Sequence, residues 1–133
     1  MKKIVVSGAI ILRDNNGTKE IFASQRGYGE WKGWWEFPGG KLEAGESPEQ
    51  CIVREIQEEL ATTVEAKKIL GVVEYDYPDF HLTMHCILCT ITSGKLNLLE
   101  HEDARWLNRQ SLYDPIWLPA DRLILPEIEK LLV

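Results

Sequence analysis

The stretch GGKLEAGESPEQCIVREIQEEL, Gly39 to Leu60, decides how the rest of the chain is read. Ser47-Pro48-Glu49-Gln50 is a helix start: serine caps, proline suits the first helical position, and Gln50 completes a capping box. Ile52, Val53, Ile56 and Leu60 share a helical face, which predicts a helix to about Leu60 resting on a sheet. Glu55, Glu58 and Glu59 fall beside that face within an arc of roughly 100°. Glu55 and Glu59 stand four apart, a like-charge spacing that opposes the helix by about 0.2–0.5 kcal/mol. A solvated acidic face is one account of this. The other is a site for a hard cation, because Mg²⁺ takes carboxylate oxygens together with water and substrate phosphates. Glu46, just ahead of the cap, can reach the same region from the loop.

Working outward, Lys3 to Leu12 is β-branched and apolar, suited to a strand buried on both faces, and Asp14-Asn-Asn-Gly17 turns it. Glu20 to Gln25 reads as the returning strand of a hairpin, followed by the glycine-rich loop Gly27 to Gly33 and the short aromatic segment Trp34 to Phe37. Lys67 to Tyr77 and His81 to Thr92 read as strands joined at Tyr77-Pro78-Asp79. Ala104 to Leu107 suits a further strand, Arg109 to Tyr113 a helical turn, and Pro126 to Val133 a terminal helix. This order predicts the α/β class, with helices covering a mixed sheet.

At 133 residues, 44% of them hydrophobic, one domain with one core is expected. No apolar run approaches the roughly 18 residues of a membrane span, and no leader-like apolar segment follows Met1, so a cytoplasmic protein without membrane partners is expected. Cys51, Cys86 and Cys89 are too few for a disulfide framework. Cys86 and Cys89 are three apart in a strand, where side chains point to opposite faces, so they read as small apolar residues rather than a metal or redox pair. A net charge of -6 argues against a nucleic acid polymer as partner, but a bound cation can make a carboxylate cluster attract one small anion.

From Gly40 the chain reads glycine, five residues, Glu46, seven residues, then Arg54-Glu55-Ile56-Gln57-Glu58-Glu59, which resembles the signature of the Nudix hydrolases. The resemblance implies a single Nudix domain over residues 1–133, a mixed β-sheet sandwiched between α-helices. It also implies a divalent metal, Mg²⁺ with Mn²⁺ able to stand in, held by Glu55, Glu58 and Glu59, with Gly39 offering backbone oxygen and Glu46 supporting at the edge. Glu55, Glu58 and Arg54 would be catalytic, Arg54 orienting a neighbouring glutamate, and Lys41 would lie near substrate phosphates. The departure is at the end of the signature, where the family has glycine and an apolar residue and this chain has Ala61-Thr62. Glycine there would take the left-handed conformation, which costs alanine about 1 kcal/mol, so an extended or reshaped helix end is expected.

Within the family, Gln25-Arg26, Trp35-Glu36-Phe37-Pro38-Gly39-Gly40-Lys41, Glu74 to Asp79 and Leu118-Pro119-Ala120-Asp121 resemble stretches of the MutT-type nucleoside triphosphate pyrophosphohydrolases in the same order. That implies substrate contacts at Arg26, Trp35, Lys41, Tyr77 and Asp121, and an additional catalytic or metal-binding carboxylate at Glu100. The implied reaction is attack of water at the β-phosphorus of a nucleoside triphosphate, giving monophosphate and pyrophosphate in nucleotide-pool sanitation. Asp121 stands where the group reading oxidised guanine has asparagine. A carboxylate only accepts unless protonated, so its base edge must offer donors, such as the cytosine amino group or the guanine N–H groups. Asp121 also reads as the N-cap of a short turn before Pro126. Tyr28, Trp31, Trp34 and Trp35 can form a stacking wall or pack the core, and His81, His85 and His101 read as strand and loop residues. The alternatives carried forward are a nucleotide-sugar pyrophosphatase acting on ADP-ribose and an inactive nucleotide-binding module. The protein would be a monomer or homodimer.

Overall fold

The computed structural model describes residues 1–94, 96 and 101–133. Along the chain run β1 (Lys2–Asn15), β2 (Thr18–Arg26), β3 (Trp35–Glu36), β4 (Gly39–Lys41), α1 (Pro48–Leu60), β5 (Thr63–Tyr77), β6 (Phe80–Ser93), β7 (His101–Leu107), α2 (Pro119–Arg122) and α3 (Leu125–Leu131). The hairpin between β1 and β2 turns on Asn16 and Gly17, both at positive φ, and Asp14 accepts the Gly17 N–H at 2.7 Å. Paired positive φ values match the twist of the flanking strands. The sheet order is β3-β2-β1-β6-β5, with β4 added on β1 and β7 on β2. β1 and β6 run parallel at the centre while the other described pairs are antiparallel, so the sheet is mixed as expected.

Ser7 to Ile11 are buried in succession, which only a central strand covered on both faces permits. One face carries Ala9, Ile11, Ile87 and Cys89 under Ile52, Ile56 and Leu60 of α1. The other carries Ile10, Met84 and Cys86 under Ile124, Leu125 and Ile128 around α2 and α3. The sheet therefore lies between helices. Cys86 and Cys89 fall in different cores, and burial pushes both thiols up to about 12.

The α1 start forms as predicted: Ser47 Oγ accepts the Gln50 N–H at 3.1 Å and Gln50 Oε1 accepts the Ser47 N–H at 2.9 Å. Full burial of Ile52, Ile56 and Leu60 stabilises by about 1.5–3 kcal/mol each, which outweighs the glutamate repulsion several times over. The end of α1 corrects the expectation. The helix is neither extended nor reshaped: Ala61 itself takes the left-handed conformation at φ 52°, ψ 40°, and its N–H reaches the Gln57 carbonyl at 3.1 Å.

Further elements differ from their sequence readings, among them β7, which begins at His101 and not Ala104. β5 begins at Thr63, not Lys67, because irregularities between Ala66 and Lys68 and between Ile69 and Gly71 interrupt the alternation by which a strand is recognised. Asp121 lies inside α2 and makes no cap, so its N-cap reading is overturned.

Candidate functional site

Gly39 and Gly40 bring β4 against β1 and α1 at distances no side chain allows. A Cβ on Gly39 would stand 1.9 Å from the Ser7 carbonyl oxygen, and one on Gly40 would stand 2.3 Å from Glu55 Cδ. Ser7 Oγ in turn donates to the Pro48 carbonyl at 2.9 Å, tying the start of α1 to the central strand. The carboxylate face of the helix is thereby laid along one wall of a cleft of about 290 Å³, with Glu55, Glu58 and Glu59 on one side and Arg26, Tyr28 and Glu36 on the other.

Arg54 organises the acidic side. Its guanidinium donates to Glu46 through two bonds of 2.7 and 2.9 Å, to Glu55 at 2.8 Å, to Glu58 at 3.2 Å and to the Lys41 carbonyl at 3.1 Å. The planar fork suits such multiple capture of carboxylates. Arg54, with a backbone bond from Glu43, draws Glu46 down to about 2, and Glu46 in return raises the Arg54 value. Glu59 Oε2 accepts the Gly39 N–H at 3.3 Å. The donor set is all oxygen, acidic and edged by side-chain-free glycines, which fits a hard divalent cation. In this arrangement Glu55 and Glu58 face Arg54, and among the described residues no three His, Cys, Asp or Glu side chains converge on one point. Glu58, at 61% side-chain exposure, has room to turn toward such an ion by giving up its 3.2 Å bond from Arg54.

The cleft opens into a recess of about 450 Å³, within the range small-molecule sites occupy. Its aromatic wall is Trp31, Tyr77 and Phe80; Tyr77 stacks on Phe80 with ring centres 5.1 Å apart and meets Trp31 edge-on at 5.7 Å. The Tyr77 hydroxyl accepts the Ala120 N–H at 3.2 Å, and burial pushes its value up to about 12. At the polar end Arg26 holds Glu36 through bonds of 2.7 and 3.2 Å. Asp121, only 5% exposed, accepts the Phe37 N–H at 2.9 Å. Burial, then the nearby Glu36 charge, pushes Asp121 up to about 7, against the pull of the Phe37 N–H and Arg26. Near neutrality this carboxyl can therefore either accept or donate.

The structure brings Glu55, Glu58, Glu59, Gly39 and Arg26 to the cleft and Lys41, Tyr77 and Asp121 to the recess, with Glu46 behind Arg54. Trp35 stands apart: it is buried in the core, bridged to Trp117 and under the Arg105 guanidinium, and lines neither cavity. Glu100 lies outside the described residues. Glu36, Phe37 and Met84 line the recess without having been singled out from sequence. For Glu36 the available signal was its place between two aromatic residues just before Pro38-Gly39-Gly40, where a short strand turns alternate residues to opposite sides.

Comparison with known proteins yields a match of residues 2–128 to the family model described as NUDIX domain. The chain is 33% identical over 132 residues to an 8-oxo-dGTP diphosphatase of Escherichia coli (strain K12), covering 98% of this chain and 100% of that protein. It is also 33% identical over 133 residues to a CTP pyrophosphohydrolase of the same organism, covering 91% and 87%. Among solved structures, the crystal structure of a MutT NUDIX hydrolase from Burkholderia pseudomallei superposes with a TM-score of 0.83 at 30% identity, covering 96% of this chain and 99% of that one.

Proposed function

The chain belongs to the Nudix hydrolase family, enzymes acting on nucleoside diphosphate derivatives, and we propose that it cleaves a nucleoside triphosphate to the monophosphate and pyrophosphate. The observation that carries this reading is the continuity of the acidic cleft with an aromatic recess ending in Asp121, which offers one place for a phosphate chain with its metal and one for a base. The similarity to an 8-oxo-dGTP diphosphatase makes 8-oxo-dGTP the first candidate and CTP or a modified dCTP the second.

In this reading Glu55, Glu58 and Glu59, with the Gly39 carbonyl, would hold Mg²⁺, which supplies charge neutralisation on the phosphate oxygens. Arg54 holds Glu55 and Glu58 at the cleft and leans on Glu46 for its own orientation. Arg26, where cleft and recess meet, and Lys41 face the phosphates, and Glu100 is assigned the preparation of water on its place in the sequence alone. Tyr77, Phe80 and Trp31 enclose the base, and Asp121 accepts from its N–H groups. Water bonds to the β-phosphorus as the bond to the α,β-bridging oxygen breaks, so that monophosphate and pyrophosphate leave and a proton is released. Housecleaning of modified or surplus nucleotides follows as the role.

The test is incubation with 8-oxo-dGTP, CTP, 5-methyl-dCTP and ADP-ribose in Mg²⁺, with products resolved by ion-exchange chromatography. Monophosphate and pyrophosphate are expected from a triphosphate, and release from none of them overturns the reading. A Glu58→Gln variant, which removes charge and not volume, is expected to stay folded and lose turnover; normal turnover would remove Glu58 from the metal site.

A further inference from the structure

The β5–β6 hairpin presents two faces at its tip. Inward, Tyr77 and Phe80 are register partners and, with Leu82, line the recess. Outward, the next register pair is Asp76 and His81, followed by Glu74 and Thr83. His81 Nδ1 lies 2.5 Å from Asp76 Oδ1 and Nε2 lies 3.3 Å from Glu74 Oε1, while Thr83 donates to the same Glu74 oxygen. A neutral imidazole has one N–H and one lone pair, and a carboxylate has only acceptors. Only the doubly protonated ring can donate to both carboxylates at once. β5 is an edge strand, so within the sheet its end at this tip is held through β6 alone, while Phe80 and His81 of β6 pair with Lys2 and Lys3 of β1.

We propose that His81 is a positioning residue for the base recess: clasped as imidazolium between Asp76 and Glu74, it fixes the hairpin tip and with it the Tyr77–Phe80 wall. The inference rests on the recess being the base site of the proposed reaction. The charged groups on this face are Asp76 and Glu74 on β5, His85 along β6 and Lys3, the register partner of His81 on β1. Two carboxylates against one ammonium favour the charged ring. Asp76 and then Glu74 raise the His81 value above its ordinary 6.5, and Thr83 and then His81 lower that of Glu74. The clasp is therefore complete below pH 6.5 and released as pH rises through the raised His81 value. Acid opens it only below the ordinary Glu74 value of 4.5.

The experiment compares wild type, His81→Gln, His81→Lys and Asp76→Asn from pH 6 to 9, measuring KM and kcat for the triphosphate turned over best. Lysine keeps a donor charge across this range, so the wild-type KM divided by that of His81→Lys removes the pH dependence shared by nucleotide and metal. That ratio is expected to rise about two- to fivefold with pH, the span of one cross-strand charge pair, with the kcat ratio flat. His81→Gln and Asp76→Asn are expected to show the raised KM at every pH. Near-ultraviolet circular dichroism without nucleotide, which reports the aromatic packing, is expected to shift with pH in both proteins as Asp121 titrates, and by more in wild type than in His81→Lys. A flat KM ratio, or dichroism shifts of equal size in wild type and His81→Lys, overturns the clasp. Absence of triphosphate turnover in a wild type whose dichroism shift still exceeds that of His81→Lys overturns the proposed function and leaves the clasp standing.

Discussion

Alanine at the two adjacent glycines of β4 should separate folding from catalysis. At Gly40 the new methyl would stand 2.3 Å from Glu55 Cδ and 2.5 Å from both carboxylate oxygens. Ordinary carbon contact begins near 3.5 Å, so the carboxylate must retreat by about 1 Å. It can do so, because it is the end of a flexible side chain, but it gives up its 2.8 Å bond from Arg54. With those side chains 23% and 20% exposed, solvent screens the lost ion pair and the stability loss is small. Turnover is affected far more: displacement of a reacting constellation by about 1 Å costs roughly 10²-fold. At Gly39 the methyl would meet the Ser7 carbonyl oxygen at 1.9 Å and Gly8 Cα at 3.1 Å. These are backbone atoms of the central strand, and relief requires parting β4 from β1 where Gly8 pairs with Gly39. Overpacking costs about 1–3 kcal/mol and more against rigid backbone, out of a total near 5–15 kcal/mol. Thermal unfolding by circular dichroism and steady-state kinetics read both variants. Gly40→Ala should melt near wild type with kcat down about 10²-fold, and Gly39→Ala should lose many degrees or fail to fold. A Gly40→Ala enzyme within about threefold of wild type would refute the reasoning that the Glu55 position carries activity.

Asp121 and Ala61 yield two further expectations. The folded Asp121 carboxyl holds its proton to about 7 while the unfolded one loses it near 3.8, so between those values the folded state binds more protons and stability falls as pH rises. The slope approaches about 1.4 kcal/mol per pH unit at most; Asp121→Asn lacks it, and its melting temperature should exceed wild type at pH 8 with the gap much narrower at pH 5. Parallel melting curves for the two proteins across that range would contradict the burial argument. Ala61→Gly removes a left-handed alanine and should stabilise by up to about 1 kcal/mol, a rise of about 3–5 °C, with kcat unchanged. A large gain in kcat would show that the turn after α1 limits the site.

The sequence by itself determined the centre of the molecule. Helix start signals are local chemistry, and hydrophobic periodicity and carboxylate spacing are properties of consecutive residues. So α1, its capping box, its buried face and its glutamates were all legible before any tertiary contact was known. The same holds for β1, whose run of β-branched residues has no comfortable place except between two covered faces. Ala61 shows the limit of local rules: the left-handed turn forms with alanine in it, because a small local cost is outweighed by packing of the buried helix face.

What tertiary structure decided is how residues distant in the chain meet. Asp121 pairs with the Phe37 backbone across 84 positions and acquires its altered acidity from burial, which no window of sequence contains. Trp35 and Glu36 are neighbours, yet the strand sends one to the core and the other to the cleft. His81 becomes a clasp only because the hairpin register sets it opposite Asp76. The chemistry of the cleft was written in one helix, whereas the recess that would choose a substrate is assembled by long-range pairing. Side-chain spacing along a helix follows from the chain alone; solvent exclusion and cross-strand register exist only once the sheet has closed.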